Sequence, residues 1–310
     1  LDKYARFVWS IGRRETWEET VERVVDYLAK TANNLSDDEY AMIYSAIKEK
    51  RAAPSMRLMS TAGEAAELNQ ASIFNCSYLP LESSQDFHDL TLLLGLGVGV
   101  GFSVESAFVR SLGDVKSSTG RTYTFVIEDN IYSWAQSIKF LFEHSMNGDN
   151  VAFDYSKIRP AGSPLKTRGG RASGPGPLIE AHTKIQELLV TRRGMRLTTI
   201  DAFDIACHIA GSIVSGGVRR SAMIAIFDKN DELMLNAKTG EWWRDNIQRQ
   251  YANISAVIDE YLFEEDVDYL VQRMHNSGFG EPGIFSRYAI RATMPNRRKL
   301  VANMGTNPSV

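Results

Sequence analysis

The sequence predicts an α/β protein whose sheet is largely parallel. Three observations point there. From about residue 178 onward, helical apolar runs alternate with short apolar segments that read as strands. The helices of the first half carry capping residues ahead of 3.6-period stripes. The chain has 310 residues, 44% of them hydrophobic and 24% charged, which suffices for one large α/β unit or two ordinary domains with a sizeable core.

The elements follow in order. Thr16-Trp-Glu-Glu19 is a capping box, and Trp17, Val21, Val24, Val25 and Leu28 follow at helical spacing. Ser36-Asp-Asp-Glu39 opens a second helix, with Tyr40, Ile43, Tyr44 and Ile47 on one face. Ser84 caps a third, which carries Phe87, Leu90 and Leu94. GVGVGFSVE then suits a buried strand ending at Glu105. Residues 106–130 read as irregular, with an exposed tip at 117–122. A striped helix covers 131–146, and a Gly/Pro/Arg-rich loop runs over 159–177. Helices at about 178–190 and 201–214 come next, the latter with Phe203, Ala206, Ile209, Ala210 and Ile213 inward. A Gly216-Gly217 turn leads into a strand at 223–227, and NISAVID at 253–259 is a second. A helix ending near Gly278 follows, and GEPGIF leads into a third strand. Gly305 and Pro308 mark a turn at the end, where glycine admits unusual backbone angles and proline pushes Asn307 towards an extended one.

Composition narrows the function classes. A net charge of −3 offers no broad basic field for nucleic acid, and the apolar run at 90–104 is too short and too glycine-broken to span a membrane. No signal pattern is present, so the chain is expected to be cytoplasmic. Two cysteines, Cys76 and Cys207, exclude a disulfide scaffold and give no metal spacing. Cys207 lies on the apolar face of its helix and reads as a small hydrophobe. Cys76 differs in sitting between polar residues at a strand start, but taken alone it too reads as core rather than chemistry. The glycines at 95, 97, 99 and 101 match no nucleotide-loop pattern and read instead as allowing close approach to a strand. The five histidines are scattered and form no constellation by spacing. GGRASGPGPL at 169–178 and SGGVRRSA at 215–222 place arginine beside flexible backbone, which suits a phosphate or an ordinary αβ turn.

Taken together, YARFVWSIGRRETWEETVERVV, APSMRL, NCSYLP, GVGVGFSV, KIRPAG, RASGPGPLI, DAFDIACHIAGSIVSGGVRRSA, GEPGI and GTNP resemble one family, in family order. The chain is similar over nearly its whole length to the catalytic subunit of ribonucleotide reductase, closest to the monomeric adenosylcobalamin-dependent (class II) branch.

The resemblance implies a ten-stranded α/β barrel, two five-stranded parallel halves around a finger loop. Residues 1–70 would form an N-terminal helical region and 71–310 the first part of the barrel, ending at the finger. It implies reduction of a ribonucleotide to the 2′-deoxyribonucleotide by thiyl-radical chemistry. Cys76 matches the first of two redox thiols, Asn307 the residue that orients the ribose, and Ser55 and Asn75 help to line the substrate site. Arg168 and Gly169, within 163–173, and the Gly216-Gly217-Val218-Arg219 loop match the two segments that sense a deoxynucleoside triphosphate effector. The stretch between GFSV and KIRP is shorter than the insertion of the monomeric branch, which leaves the oligomeric state open.

One departure is chemical. Ser309 stands where the family has its radical cysteine, and Val310 where it has glycine. A serine O–H bond is much stronger than a cysteine S–H, so the expectation is an incomplete N-terminal portion, inactive alone, partnered by a C-terminal half. Truncation, a split gene, an intein junction or an engineered serine each account for such an end. The reading from another class is a non-catalytic nucleotide-binding fragment or splicing precursor. The radical source is adenosylcobalamin or a separate metal-containing subunit, the reductant an external thiol such as thioredoxin, and the substrate a ribonucleoside di- or triphosphate.

Overall fold

The computed structural model describes residues 4–32, 35–164, 171–215, 218–219, 222–299 and 301–308; the side chains of the two short strands at 214–219 are not described. The chain divides into two compact units, Leu1–Asn75 with Ser163–Ala172, and Cys76–Gly162 with Ser173–Val310.

The first unit begins with a short antiparallel pair, β1 (Phe7–Val8) and β2 (Arg13–Arg14), followed by α1 (Trp17–Ala32), α2 (Asp37–Lys48), α3 (Met56–Thr61) and α4 (Glu64–Leu68). Both expected capping boxes form: Thr16 with Glu19, and Ser36 with Glu39. Their apolar stripes meet, so that Val21, Val24 and Val25 of α1 pack with Ile47 of α2 and Met59 of α3. Arg23 fastens this core by pairing with Glu15 at 2.8 Å and donating to the carbonyls of Tyr4, Met59 and Ala62. Pro164 and Arg171 form an isolated antiparallel bridge, and the Ala172 amide donates to the Ser163 carbonyl.

The second unit runs β3 (Cys76–Pro80), α5 (Ser84–Gly95), β4 (Gly99–Ser103), α6 (Ser106–Val109), β5 (Thr122–Val126), α7 (Ile131–Met146), β6 (Asn150–Asp154), α8 (Gly176–Thr191) and α9 (Thr199–Ser212). It continues through β7 (Val214–Ser215), β8 (Val218–Arg219), β9 (Met223–Asp228), α10 (Glu232–Leu235), α11 (Trp242–Asp245), β10 (Ala252–Ile258), α12 (Glu264–Ser277), β11 (Gly283–Ser286) and α13 (Arg287–Thr293). Five strands form one parallel sheet in the order β11-β10-β9-β4-β3. The cap of α5 falls one residue earlier than expected, at Ser83, whose amide donates to Asp86. Gly278 ends α12 in the left-handed conformation, as its position suggested.

Alternation splits the sheet into two unlike faces. Val100, Phe102, Ala225, Phe227, Ile254 and Ala256 point outward into the main core, where they meet Phe87, Leu90 and Leu94 of α5 and Phe203, Ala206 and Cys207 of α9. Cys207 is fully buried there, a small apolar residue as expected.

Residues 106–130 are less irregular than the sequence suggested. They contain α6 and β5, and β5 pairs in parallel with β6 to make a separate two-stranded sheet. Beside it His182 of α8 is buried, stacked on Phe153 at 3.9 Å. Ser137 donates its hydroxyl to the Trp134 carbonyl, so it accepts from His182 Nε2, while the Tyr155 hydroxyl donates to Nδ1. Burial lowers the imidazole pKa to about 3 and raises the Tyr155 phenol to about 12. His182 is therefore a neutral core residue.

Candidate active site

The inner face of the five-stranded sheet carries small and polar residues on β4 and at Ser255 and Gly283, with Ile224 and Ile226 of β9 and Val257 of β10 as its apolar part. Cys76 opens β3 and pairs with Gly99 of β4; Tyr78 pairs with Gly101. By alternation Cys76, Tyr78, Gly99, Gly101 and Ser103 share that inner face, continued by Ser255 and Gly283. Cys76 is half-buried, and neither cysteine is in a disulfide.

The segment Met304–Asn307 lies on this face. A β-carbon on Gly101 would fall 1.7 Å from the Thr306 carbonyl oxygen and 3.1 Å from the Asn307 Cα. A β-carbon on Gly305 would fall 1.9 Å from the Tyr78 ring. Two glycines thus let the segment and the strand meet without side chains between them. This is the close approach expected of the Gly95–Gly101 series, made with backbone at Gly101 and with the Ile131 side chain at Gly95. Gly305 differs from expectation: its φ is not positive, and glycine is required there by the Tyr78 ring rather than by backbone freedom. The Tyr78 hydroxyl is buried, and burial raises its pKa against the opposing pull of the neighbouring Arg287 and Ser103.

An ion pair holds the segment from behind. Arg287 opens α13 directly after β11 and is 4% exposed. Its guanidinium donates twice to Glu105, at 2.7 and 2.6 Å, and its Nε donates to the Met304 carbonyl at 2.7 Å. Asp259 accepts a further bond at 3.2 Å. Ser103 donates to Glu105 at 2.7 Å, fixing the carboxylate at the end of β4. Burial alone would lower the Arg287 pKa, but the bonds and charge of Glu105, with Asp259, raise it above its ordinary value. The guanidinium stays charged, and the two-pronged fit is the strong form of this pairing.

The other expected residues are distributed as follows. Ser55 caps α3 by accepting from the Leu58 amide, and Asn75 is exposed; both belong to the first unit. Arg219 ends β8, which pairs antiparallel with β7. Gly216, Gly217, Arg168, Gly169 and Ser309 lie outside the described residues. Sequence reasoning did not single out Tyr78 or Arg287. The available signals were a strand ending in a glutamate and an arginine opening the helix after the third strand.

A cleft of about 610 Å³ opens beyond the ends of β4 and β9, lined by Ser106, Arg110, Thr198 and Asp231 among others. Two of its polar groups are already occupied: Thr198 caps α9 and Asp231 caps α10. No helix among the described residues is long and apolar enough to cross a membrane, and none of them form a group of three or more metal-ligating side chains.

Residues 122–189 match the family model described as "B12-dependent ribonucleotide reductase, insertion domain". The chain is 30% identical over 298 residues to the adenosylcobalamin-dependent ribonucleoside-triphosphate reductase of Euglena gracilis, an alignment covering 88% of this chain. Over most of its length the chain is therefore similar to the class II ribonucleotide reductases. A second member, the adenosylcobalamin-dependent ribonucleoside-triphosphate reductase of Lactobacillus leichmannii, is 29% identical over 349 residues and 91% of this chain. The chain spans 40% of the Euglena reductase and 46% of the Lactobacillus one, a little under half the length of these relatives. A crystal structure of a B12-dependent class II ribonucleotide reductase superimposes with a TM-score of 0.76, over 92% of this chain and 48% of that one, at 23% identity. It shows the shared α/β fold with its parallel sheet. The insertion-domain match falls on β5, α7, β6 and α8, the first of which lies in the stretch that had read as irregular.

Proposed function

We propose that this chain supplies the N-terminal part of a class II ribonucleotide reductase, which converts ribonucleotides to 2′-deoxyribonucleotides by thiyl-radical chemistry. The observation that carries the reading is the meeting of Cys76 and the approach to Asn307 on one sheet face. From strand spacing, the Cα of Cys76 lies roughly 8 Å from that of Gly101, against which Asn307 is laid. In this reading Asn307 orients the ribose and Cys76 gives one of the two reducing electrons. Replacing the 2′-hydroxyl by hydrogen consumes two thiols and yields one disulfide and one water. Cys207 is sealed in the core, so the second thiol comes from another segment or protein. An external dithiol such as thioredoxin then restores the pair.

The same reading makes residues 71–310 the first part of a ten-stranded barrel and 1–70 an accessory helical region. Ser55 and Asn75 contribute to the substrate site. Arg168, Gly169, Gly216, Gly217 and Arg219 bind the deoxynucleoside triphosphate effector, which adjusts substrate choice. In the family, the length that this chain does not span completes the site, and Ser309 stands at the place of the radical cysteine. Adenosylcobalamin, for which the relatives are named, would supply the radical. Met304–Asn307 cover part of the inner face, and no described residue is assigned to the cofactor's seat.

The test supplies the missing half. This chain bearing Ser309→Cys, joined with a polypeptide matching the relatives' C-terminal part, is given adenosylcobalamin, dithiothreitol and ribonucleoside di- or triphosphates. Deoxynucleotide should form, and Cys76→Ser or Asn307→Ala should reduce it by about a hundredfold or more. A folded complex that binds nucleotide yet makes no product would return the chain to the nucleotide-binding class.

A further inference from the structure

We propose that Arg287 is a positioning residue: anchored on Glu105, it holds the Met304 carbonyl and so sets how Asn307 is presented to Cys76, with the Tyr78 ring and Gly101 as the floor against which the segment stops. Its catalytic consequence rests on the reading of Cys76 and Asn307 given above; the docking itself does not.

The geometry divides the guanidinium's work. Nε alone of the Arg287 nitrogens reaches Met304; Nη1 and Nη2 serve the carboxylates of Glu105 and Asp259. That division matters, because the carboxylate bonds belong to the fold and the Met304 bond belongs to the segment. Glu105 follows β4, the strand that carries Gly101, and Ser103 fixes its carboxylate. Arg287 follows β11, the far edge of the sheet. The pair therefore refers the segment to two strands at once.

The floor is equally specific. Gly305 meets the face of Tyr78, and Thr306, which is buried, places its carbonyl in the space a side chain on Gly101 would take. Tyr78 and Gly101 are directly paired across β3 and β4, so the two stops cannot shift independently. A segment held at Met304 from behind and stopped at Gly305 and Thr306 from below has little freedom left at Asn307. Tyr78 is two residues from Cys76 along the same face, so the position of Asn307 is referred to the same strand as the thiol.

Arg287→Lys separates the roles. Lysine keeps the charge opposite Glu105 and Asp259 but lacks the fork that serves Glu105 and Met304 together. The readout is proximity: in the full chain with Asn307→Cys, a short two-armed bimane fluoresces once it has joined the introduced thiol to Cys76, while buried Cys207 stays unreacted. The Arg287→Lys version should fold with a thermal midpoint near its parent and cross-link about tenfold more slowly, the worth of one charge-assisted hydrogen bond. Tyr78→Ala should slow the reaction by removing the floor, and Tyr78→Phe, which keeps the ring, should restore the parent rate. Cross-linking within about twofold of the parent in folded Arg287→Lys, or equal rates in Tyr78→Ala and Tyr78→Phe, would overturn the proposal. Neither measurement depends on catalysis, so a failure here is separable from a failure of the reductase reading.

Discussion

The carbonyl oxygen of Thr306 lies 1.7 Å from where a β-carbon on Gly101 would stand, so these two residues occupy a volume that only glycine leaves open. The obstacle is backbone on one side and a central strand on the other, neither of which can swing aside as a flexible side chain would.

Gly101→Ala should therefore lift the 305–307 segment from the sheet. The expected cost is about 1 to 3 kcal/mol, the usual range for overpacking a well-filled site. Hydrogen exchange should quicken at Thr306 and Asn307 while β9 and β10 stay protected. Unchanged exchange at those amides in a folded variant would mean that the segment does not rest on Gly101.

The two thiols should behave differently. Cys76 is half-buried at a strand start and Cys207 is sealed in the core. Titration of the native chain with an aromatic disulfide reagent should register about one thiol quickly, and about two after denaturation. Cys76→Ala should abolish the fast phase. A fast phase that survives this change would show that the helix carrying Cys207 opens readily.

Acid should weaken the fold through His182. Unfolded, this imidazole takes up a proton as pH falls through about 6.5; folded, it resists until about 3. Between those values the unfolded state holds the extra proton, so stability falls as pH drops through the window and rises again towards pH 6.5. The slope from this one group approaches about 1.4 kcal/mol per pH unit. Denaturant midpoints measured from pH 6.5 to 5 should fall more steeply for the parent than for His182→Gln. Parallel slopes would place a proton on His182 in the folded chain.

If the loops at 163–173 and 216–219 bind an effector, a deoxynucleoside triphosphate should raise the melting temperature by mass action. Saturation at a hundredfold over the dissociation constant corresponds to about 2.7 kcal/mol. Arg219→Ala should reduce that response more than Lys48→Ala. No shift with any of the four deoxynucleotides, in a sample shown to be folded, would remove these loops from the effector site.

The helices were legible where one signal served both ends and face. The helix read at 131–146 is α7, because Asn130 caps it and no glycine interrupts its stripe. β9 and β10 were legible because one face of each is unbroken core. β5 was not: four of its five residues are exposed, so it lacks the buried face from which periodicity is read, and its partner β6 lies beyond a whole helix. Cys76 and Asn307 came from resemblance to a family, since nothing local distinguishes a catalytic thiol from a core one. The Arg287–Glu105 pair joins residues 182 positions apart, a relation no local pattern carries. Gly305 was noticed for the wrong physical reason, because a ring arriving from a distant strand leaves no trace in the residues around it.

The pleat of β4 has a consequence for how this chain can vary. Gly99, Gly101 and Ser103 alternate with Val100 and Phe102, and the two sets answer to opposite pressures. Outward positions should accept changes of shape that conserve volume and greasiness, whereas Gly101 should reject any added atom however apolar. A saturation library read along this strand should oscillate with a two-residue beat, one phase selecting for bulk and the other for emptiness. Insertion of a single residue would invert that beat and exchange the two pressures at every later position of the strand. Length in this strand should thus be under tighter selection than the identity of most of its residues.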